Sequence, residues 1–351
     1  MIMGNKIAKI FAVMMILVGI GFFFVPTLRE YWNAYQNRKL IQEITDLNVE
    51  RETLSANSDP LDENQEISEP TEVLEDELDR LYQIMQDYNQ TIFEEKQSGL
   101  KDPFDYQNVS IDLKEYGFQD NVIGTIWIPR MEVEMPIYLG ANSDNMAKGA
   151  GLLGQTSMPL GGENTNMVLA GHRGWYGIPM FRDIQTLQLG DKIRITTPWD
   201  ILYYEVCGLR IIVPEDVDKI KIQEGRDLLT LLTCHPLGQN YQRYLVYAER
   251  VEETVKSKEE EIQEAKQTYS DVPRQVEVIQ ADGSREMQEI NPAKIQSVSG
   301  EGITSGSDYS NMQIWLEDYG TWIILAVVLV IAFVLLTGRR RPGKYARGKK
   351  K

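Results

Sequence analysis

Cysteine and histidine, the residue types best suited to nucleophilic and proton-transfer chemistry at neutral pH, are scarce in this chain: Cys207, Cys234, His172 and His235 are all there is. Thiol chemistry needs a nucleophile, a group that moves a proton, and a fixed donor for a developing oxyanion. Cys234 closes the apolar run LLTLLTC, and a strand end opening into a loop presents its side chain at a rim. Cys207 lies inside YYEVCGL and reads as a small buried hydrophobe. His172 follows the strand-like MVLAG and precedes the loop RGWYG, again at a strand end. His235 adjoins Cys234, and neighbours in extended chain point to opposite faces, so His172 is the better acid or base. Arg243 begins the next strand after the loop HPLGQNYQ, so an antiparallel return brings its permanent charge and fixed donors beside the thiol. Arg173 and Arg250 remain rivals on composition alone.

These residues need a scaffold, and the order of elements suggests one. From Val122 to Val251 short runs rich in Ile, Val, Thr and Tyr recur: Val122–Ile128, Val133–Tyr138, Asn166–Gly171, Lys192–Thr197, Ile201–Val213, Leu228–Cys234 and Gln242–Val251. Gly, Pro and Asp separate them, which predicts an all-β barrel or sandwich. Upstream, Leu40, Ile44, Leu47 and Leu54 mark one amphipathic helix, with Arg51 in its seam. Leu74, Leu78, Leu81, Met85, Tyr88 and Ile92 mark a second. Both stripes are expected to pack against the domain or each other. Between them Ser55–Thr71 is acidic and almost without large apolar residues, a linker.

At the two ends the composition changes again. Residues 7–25 carry one charge, Lys9, and lack a small-residue cleavage pattern, so they read as an uncleaved membrane anchor rather than a signal peptide. Residues 321–337 are uncharged and are followed by a tail in which Arg339–Lys351 hold 8 Lys plus Arg and no acid. That asymmetry predicts a two-pass membrane protein with both termini cytoplasmic and the domain between them outside. With only two cysteines, such an ectodomain relies on its apolar core, although a single bridge is not excluded by count. The net charge of −16 excludes a nucleic-acid-binding surface of the usual basic kind. No phosphate-binding glycine loop, dinucleotide fingerprint or metal cluster is evident, so no cofactor is expected.

Along the chain the expected organisation is a cytoplasmic N-terminus (1–6), an anchor (7–25), a helical stalk (26–54), an acidic linker (55–73) and a helical extension (74–121). The barrel (122–252), a polar acidic spacer made of a helix and flexible chain (253–320), a second span (321–337) and a basic cytoplasmic tail (338–351) follow.

The motifs TLLTC (Thr230–Cys234), LAGHRG (Leu169–Gly174) and Arg243 in NYQRYLVYAER, in this order and spacing, resemble those of the sortases, cysteine transpeptidases of Gram-positive cell surfaces. The resemblance spans Tyr82 to Val251. It implies a closed eight-stranded β-barrel with short helices, beside the N-terminal helical extension and the two spans. It further implies Cys234 as nucleophile, His172 as general acid and base, Arg243 as oxyanion and substrate stabiliser, and a sorting signal of the LPxTG kind as substrate. The acyl group would pass to an amine, a pilin Lys or a peptidoglycan precursor. Two spans and KDPF (Lys101–Phe104) resemble the pilus-assembling class C enzymes, whose lid motif carries over to Asp102, Pro103 and Phe104. In that class Asp102 would engage Arg243 and Phe104 would cover Cys234. A wall-anchoring housekeeping enzyme, a hydrolytic thiol peptidase and a non-catalytic membrane-tethered scaffold are the alternatives. His235 stands where the pilus-type enzymes usually carry a small hydroxyl residue.

Overall fold

A computed structural model describes residues 31–53, 69–102, 111–118, 120–174, 180–237, 239–267, 274–279 and 285–290. All of these belong to one compact unit, residues 30–309. The expected spans at 7–25 and 321–337 lie outside the described residues, as do Pro103, Phe104 and Leu54. Among the described residues no helix is long and apolar enough to cross a membrane.

Eight strands close into a mixed barrel. They are β1 (Val122–Ile128), β2 (Val133–Leu139), β3 (Ala150–Leu152), β4 (Thr165–Ala170), β5 (Lys192–Thr196), β6 (Ile201–Ile212), β7 (Asp227–His235) and β8 (Gln242–Val251). The order β6-β5-β1-β2-β3-β4-β7-β8 returns to β6 through the β6–β8 pairing. Two neighbour pairs, β2–β3 and β4–β7, are parallel, and the others are antiparallel. Seven of these strands coincide with the apolar runs of the sequence. The eighth, β3, is only AGL, too short to show an alternation.

Two helices flank the barrel: α1, residues 31–53, and α2, Glu69–Glu94. Their stripes do pack: Leu40, Ile44, Leu78, Leu81 and Met85 join the main core with the strand residues Ile126, Leu229 and Val246. Asn48 donates to the Thr197 carbonyl at 2.9 Å, and Arg51 in the seam pairs with Asp79 across the two helices. Helix α2 begins at Glu69, within the segment expected to be linker, because Pro70 suits the first turn of a helix, where its missing N–H is not needed.

Two further expectations change. Cys207 is exposed, not buried. The core takes Tyr204 and Val206, so alternation turns Cys207 outward, where it is the extra residue of a bulge at the β6–β8 register shift between Val206 and Gly208. Beyond β8, a short helix α3 (Ser143–Met146) having lain between β2 and β3, helix α4 (Lys258–Gln267) is followed by a hairpin, β9 (Arg274–Ile279) and β10 (Arg285–Ile290), where flexible spacer was expected. Strand β5 pairs only with Ile201–Glu205 of β6, which leaves the far half of that edge open, and β9 fills it in parallel at Arg210 and Ile211. Glu261 of α4 pins the helix to the barrel by pairing with Arg194 and accepting from the Tyr203 hydroxyl, both at 3.1 Å.

Candidate active site

Three neighbouring strands end together. The parallel β4–β7 ladder runs in constant register from Thr165 opposite Asp227 to Ala170 opposite Leu232. Gly171 N–H extends it by donating to Leu232 O at 3.1 Å, and Thr233 Oγ1 donates to Gly171 O at 2.8 Å. Carried one step further, this register sets His172 level with Cys234. On the other side of β7 the antiparallel ladder places Cys234 directly opposite Arg243 and His235 opposite Gln242. The three residues singled out in the sequence thus fall in one row across β4, β7 and β8.

Alternation then decides which face each presents. Leu229, Leu231, Tyr244 and Val246 belong to the main core. Val168, Ala170, Leu232, Leu245 and Ile212 form a second cluster on the opposite, outer face. By the same period Cys234, Arg243 and His172 share the outer face, while His235 and Arg173 take the core face. His235 is buried with its ring 5.7 Å from that of Tyr244. It is no partner for the thiol, as the alternation rule anticipates.

The LAGHRG segment has a local reason for its first glycine. A Cβ on Gly171 would stand 2.8 Å from the Phe181 ring, so only glycine lets that ring close against the strand end. Phe181 N–H in turn donates to His172 O at 3.1 Å, holding the loop that carries the imidazole.

Over the outer face lies the chain leaving α2. Buried Gln97 ties it down: Ile222 N–H donates to its amide oxygen at 2.6 Å, and its amide nitrogen donates to Gln155 O at 2.7 Å. Leu100 then inserts into the second cluster, and Asp102 reaches Arg243. Arg243 Nε donates to Asp102 Oδ1 at 2.8 Å and Nη2 to Oδ2 at 2.7 Å, a bidentate pair. Its remaining nitrogen, Nη1, donates to the carbonyls of Asn240 and Gln242 at 2.7 and 3.0 Å. All three guanidinium nitrogens are therefore engaged.

Electrostatics follow from burial. Burial pushes the Cys234 thiol above its ordinary pKa, Arg243 pulls it back, Asp102 opposes Arg243, and Arg173 adds a further downward pull. Burial alone holds the His172 imidazole below its ordinary value of 6.5, so it is neutral at pH 7. A neutral imidazole beside a protonated thiol can take that proton and return it to a leaving group, and a guanidinium freed of its carboxylate can hold an oxyanion. Such an array suits acyl transfer through a thioester. Among the described residues no cluster of three His, Cys, Asp or Glu is placed to hold a metal.

The pairing of Arg173 with His235 beneath the row is the feature that residue-by-residue reasoning missed. Its signal was present: His172–Arg173, Cys234–His235 and Gln242–Arg243 are three adjacent pairs at three paired strand ends, and each must divide its members between two faces.

Residues 126–251 match the family model described as a sortase domain. Sortase D of Bacillus subtilis (strain 168) is 32% identical over 131 residues, which are 36% of this chain and 63% of that protein. Sortase A of Bacillus anthracis is 31% identical over 144 residues, 41% of this chain and 64% of that protein. The chain thus spans a little under two thirds of the length of these relatives. Among solved structures, the complex of Streptococcus agalactiae sortase C1 with MTSET is 32% identical, with a TM-score of 0.47 over 51% of this chain and 93% of that one.

Proposed function

We propose that this chain, whose residues 126–251 match the sortase-domain model, is a membrane-anchored, extracellular cysteine transpeptidase of the pilus-assembling class. In this reading Cys234, deprotonated by His172, attacks the Thr-Gly carbonyl of an LPxTG-like sorting signal. Arg243 holds the oxyanion of the tetrahedral intermediate. His172, now protonated, gives its proton to the departing glycine amine, and a thioacyl enzyme remains. A pilin Lys amine then attacks the thioester, passes its proton to His172, and expels the Cys234 thiolate as the isopeptide bond forms. Both half-reactions use the same three groups in alternating acid and base roles.

The observation that carries the pilus-class reading is the bidentate Asp102–Arg243 pair, since a carboxylate so placed neutralises the guanidinium and competes with a substrate oxyanion for its donors. Asp102 must leave before catalysis, and Asp102, Pro103 and Phe104 then act as a lid whose displacement by substrate exposes the thiol. The apolar segments 7–25 and 321–337 would anchor the chain in the membrane, on whose extracellular side sorting signals are presented.

The test uses the full-length chain in detergent, carrying Asp102→Ala and Phe104→Ala, with an LPxTG peptide and hydroxylamine. Intact-protein mass spectrometry should show a transient acyl adduct, and a peptide hydroxamate should accumulate. Both should vanish in Cys234→Ala, be strongly reduced in Arg243→Ala and His172→Ala, and appear more slowly with the lid intact. Replacing hydroxylamine with a pilin-derived Lys peptide or a peptidoglycan-type amine separates pilus from wall-anchoring activity. A folded protein that forms no adduct with the peptide would sink the transpeptidase reading.

A further inference from the structure

Beneath the reactive row, on the core face, sits a second basic pair. Arg173 follows His172 and His235 follows Cys234, so alternation turns both inward, where Arg173 is 8% and His235 1% exposed. Arg173 Nη1 lies 2.8 Å from His235 Nδ1 and 3.4 Å from the Cys234 carbonyl oxygen. A guanidinium has only donors, so Nδ1 must supply the lone pair and the imidazole proton resides on Nε2. One side chain, rooted beside the proposed acid–base group, thereby grips the strand end that carries the proposed nucleophile.

We infer that Arg173 is a positioning residue for Cys234: held from the core face by His235, its guanidinium fixes the carbonyl at the end of β7 and supplies a positive charge behind the thiol that stays in place when Asp102 comes or goes. This rests on the reading of Cys234 as the nucleophile.

Three features of the pair fit that role. First, the grip joins β4 to β7 beyond their last ladder bonds, where Gly171 and Thr233 already tie the two ends. It therefore sets the spacing of His172 and Cys234 on the other face. Second, a neutral imidazole orients a guanidinium without neutralising it, whereas a carboxylate would cancel the charge. Burial, with Arg173 adding to it, pushes the His235 pKa down to about 3, so the imidazole is neutral throughout the working range. Third, the charge acts on the thiol in the direction a nucleophile needs, since Arg173 favours the thiolate. Arg243 also favours it, but Asp102 opposes that effect in the present arrangement.

The experiment reads the rate of Cys234 alkylation by iodoacetamide against pH in the full-length chain, resolved by peptide mass spectrometry. Cys207, exposed on its bulge, serves as the internal control. In Arg173→Gln the midpoint for Cys234 should rise and the rate at pH 7 should fall about threefold to tenfold, as a shift of half to one unit requires, with Cys207 unchanged. Arg173→Lys, which keeps the charge but not the fork, should fall between. A wild-type midpoint for Cys234 in folded Arg173→Gln would overturn the inference. Should Arg173→Gln fail to fold by circular dichroism, the pair at 235 decides. His235→Phe, which fills the space and offers no acceptor, should raise the midpoint, and His235→Asn, whose amide oxygen accepts, should restore it. Equal midpoints in those two would also overturn the inference. LPxTG-peptide turnover by the wild-type chain is a separate arm: its absence would count against the sorting reaction while leaving the alkylation profile interpretable.

Discussion

Arg130 and Arg243 form the same kind of bond in two different settings. Each makes a bidentate pair with an aspartate, Asp191 for the first and Asp102 for the second, and each guanidinium side chain is 5% exposed. The aspartates differ. Asp191 is 2% exposed, stands immediately before β5, accepts from Gln188 N–H at 2.7 Å, and is tied through its backbone to Gln188 and Val206. Asp102 is 14% exposed and reaches the barrel from the chain that leaves α2. Pair geometry alone therefore does not reveal a role. An ion pair that ties two connections of the barrel itself, Arg130 between β1 and β2 and Asp191 just before β5, is part of the scaffold, whereas one that joins a strand end to an approaching segment can open.

The largest effect expected from that contrast is on stability. Arg130→Ala strands Asp191 as a buried, uncompensated charge and should cost about 3–5 kcal/mol, read by denaturant unfolding. Asp102→Asn should cost less, about 1–3 kcal/mol, because its amide oxygen still accepts from the guanidinium and Arg243 keeps the Asn240 and Gln242 carbonyls. Equal losses would break the comparison.

A third buried arginine sharpens it through pH. His235 beside Arg173 has a folded pKa of about 3 against an ordinary 6.5, so between those values the unfolded chain binds more protons and acid favours unfolding. Stability from this site is intact above pH 6.5 and should fall by roughly 3 kcal/mol by pH 4. His235→Asn should flatten that part of the stability curve, and an unchanged acid limb would show that the imidazole is not buried neutral. Next in size is reactivity. Removing the Asp102 charge lowers the Cys234 pKa, since a neighbouring carboxylate opposes the thiolate, so Asp102→Asn should speed alkylation at pH 7 about tenfold. The smallest effect should come from the half-exposed Arg51–Asp79 pair between α1 and α2, where Arg51→Ala should change stability by no more than about 1 kcal/mol.

How far the sequence could be read depended on the range of the interactions. Seven barrel strands were legible because a half-buried ladder imposes its period on neighbouring residues, and Cys234, His172 and Arg243 were legible because each sits where such a run ends. Strand β3 was not, since three residues, Ala150–Leu152, carry no period. The outward turn of Cys207 was not, because YYEVCGL carries apolar residues on both faces and does not say which face is covered; the core takes Tyr204 and Val206 and leaves Cys207 outside. Nor was the β9–β10 hairpin: RQVEVI and REMQEI are polar enough to read as spacer, and what makes β9 a strand is the edge of β6 that β5 leaves open.

The sequence by itself determined which residues carry reactive groups, that they lie at strand ends, and that His235 and Cys234 face opposite ways, because those properties follow from residue chemistry and the two-residue period of extended chain. Only the tertiary structure decided that three strand ends coincide, so that His172, Cys234 and Arg243 form one row while Arg173 and His235 meet beneath it. It also decided by which path Asp102, which the KDPF resemblance sets against Arg243, reaches it on the outer face. Those outcomes depend on ladder register and on the path of the chain after α2, which are set by cross-strand bonds and by the seating of Gln97 and Leu100, contacts between residues far apart in sequence that no local pattern encodes.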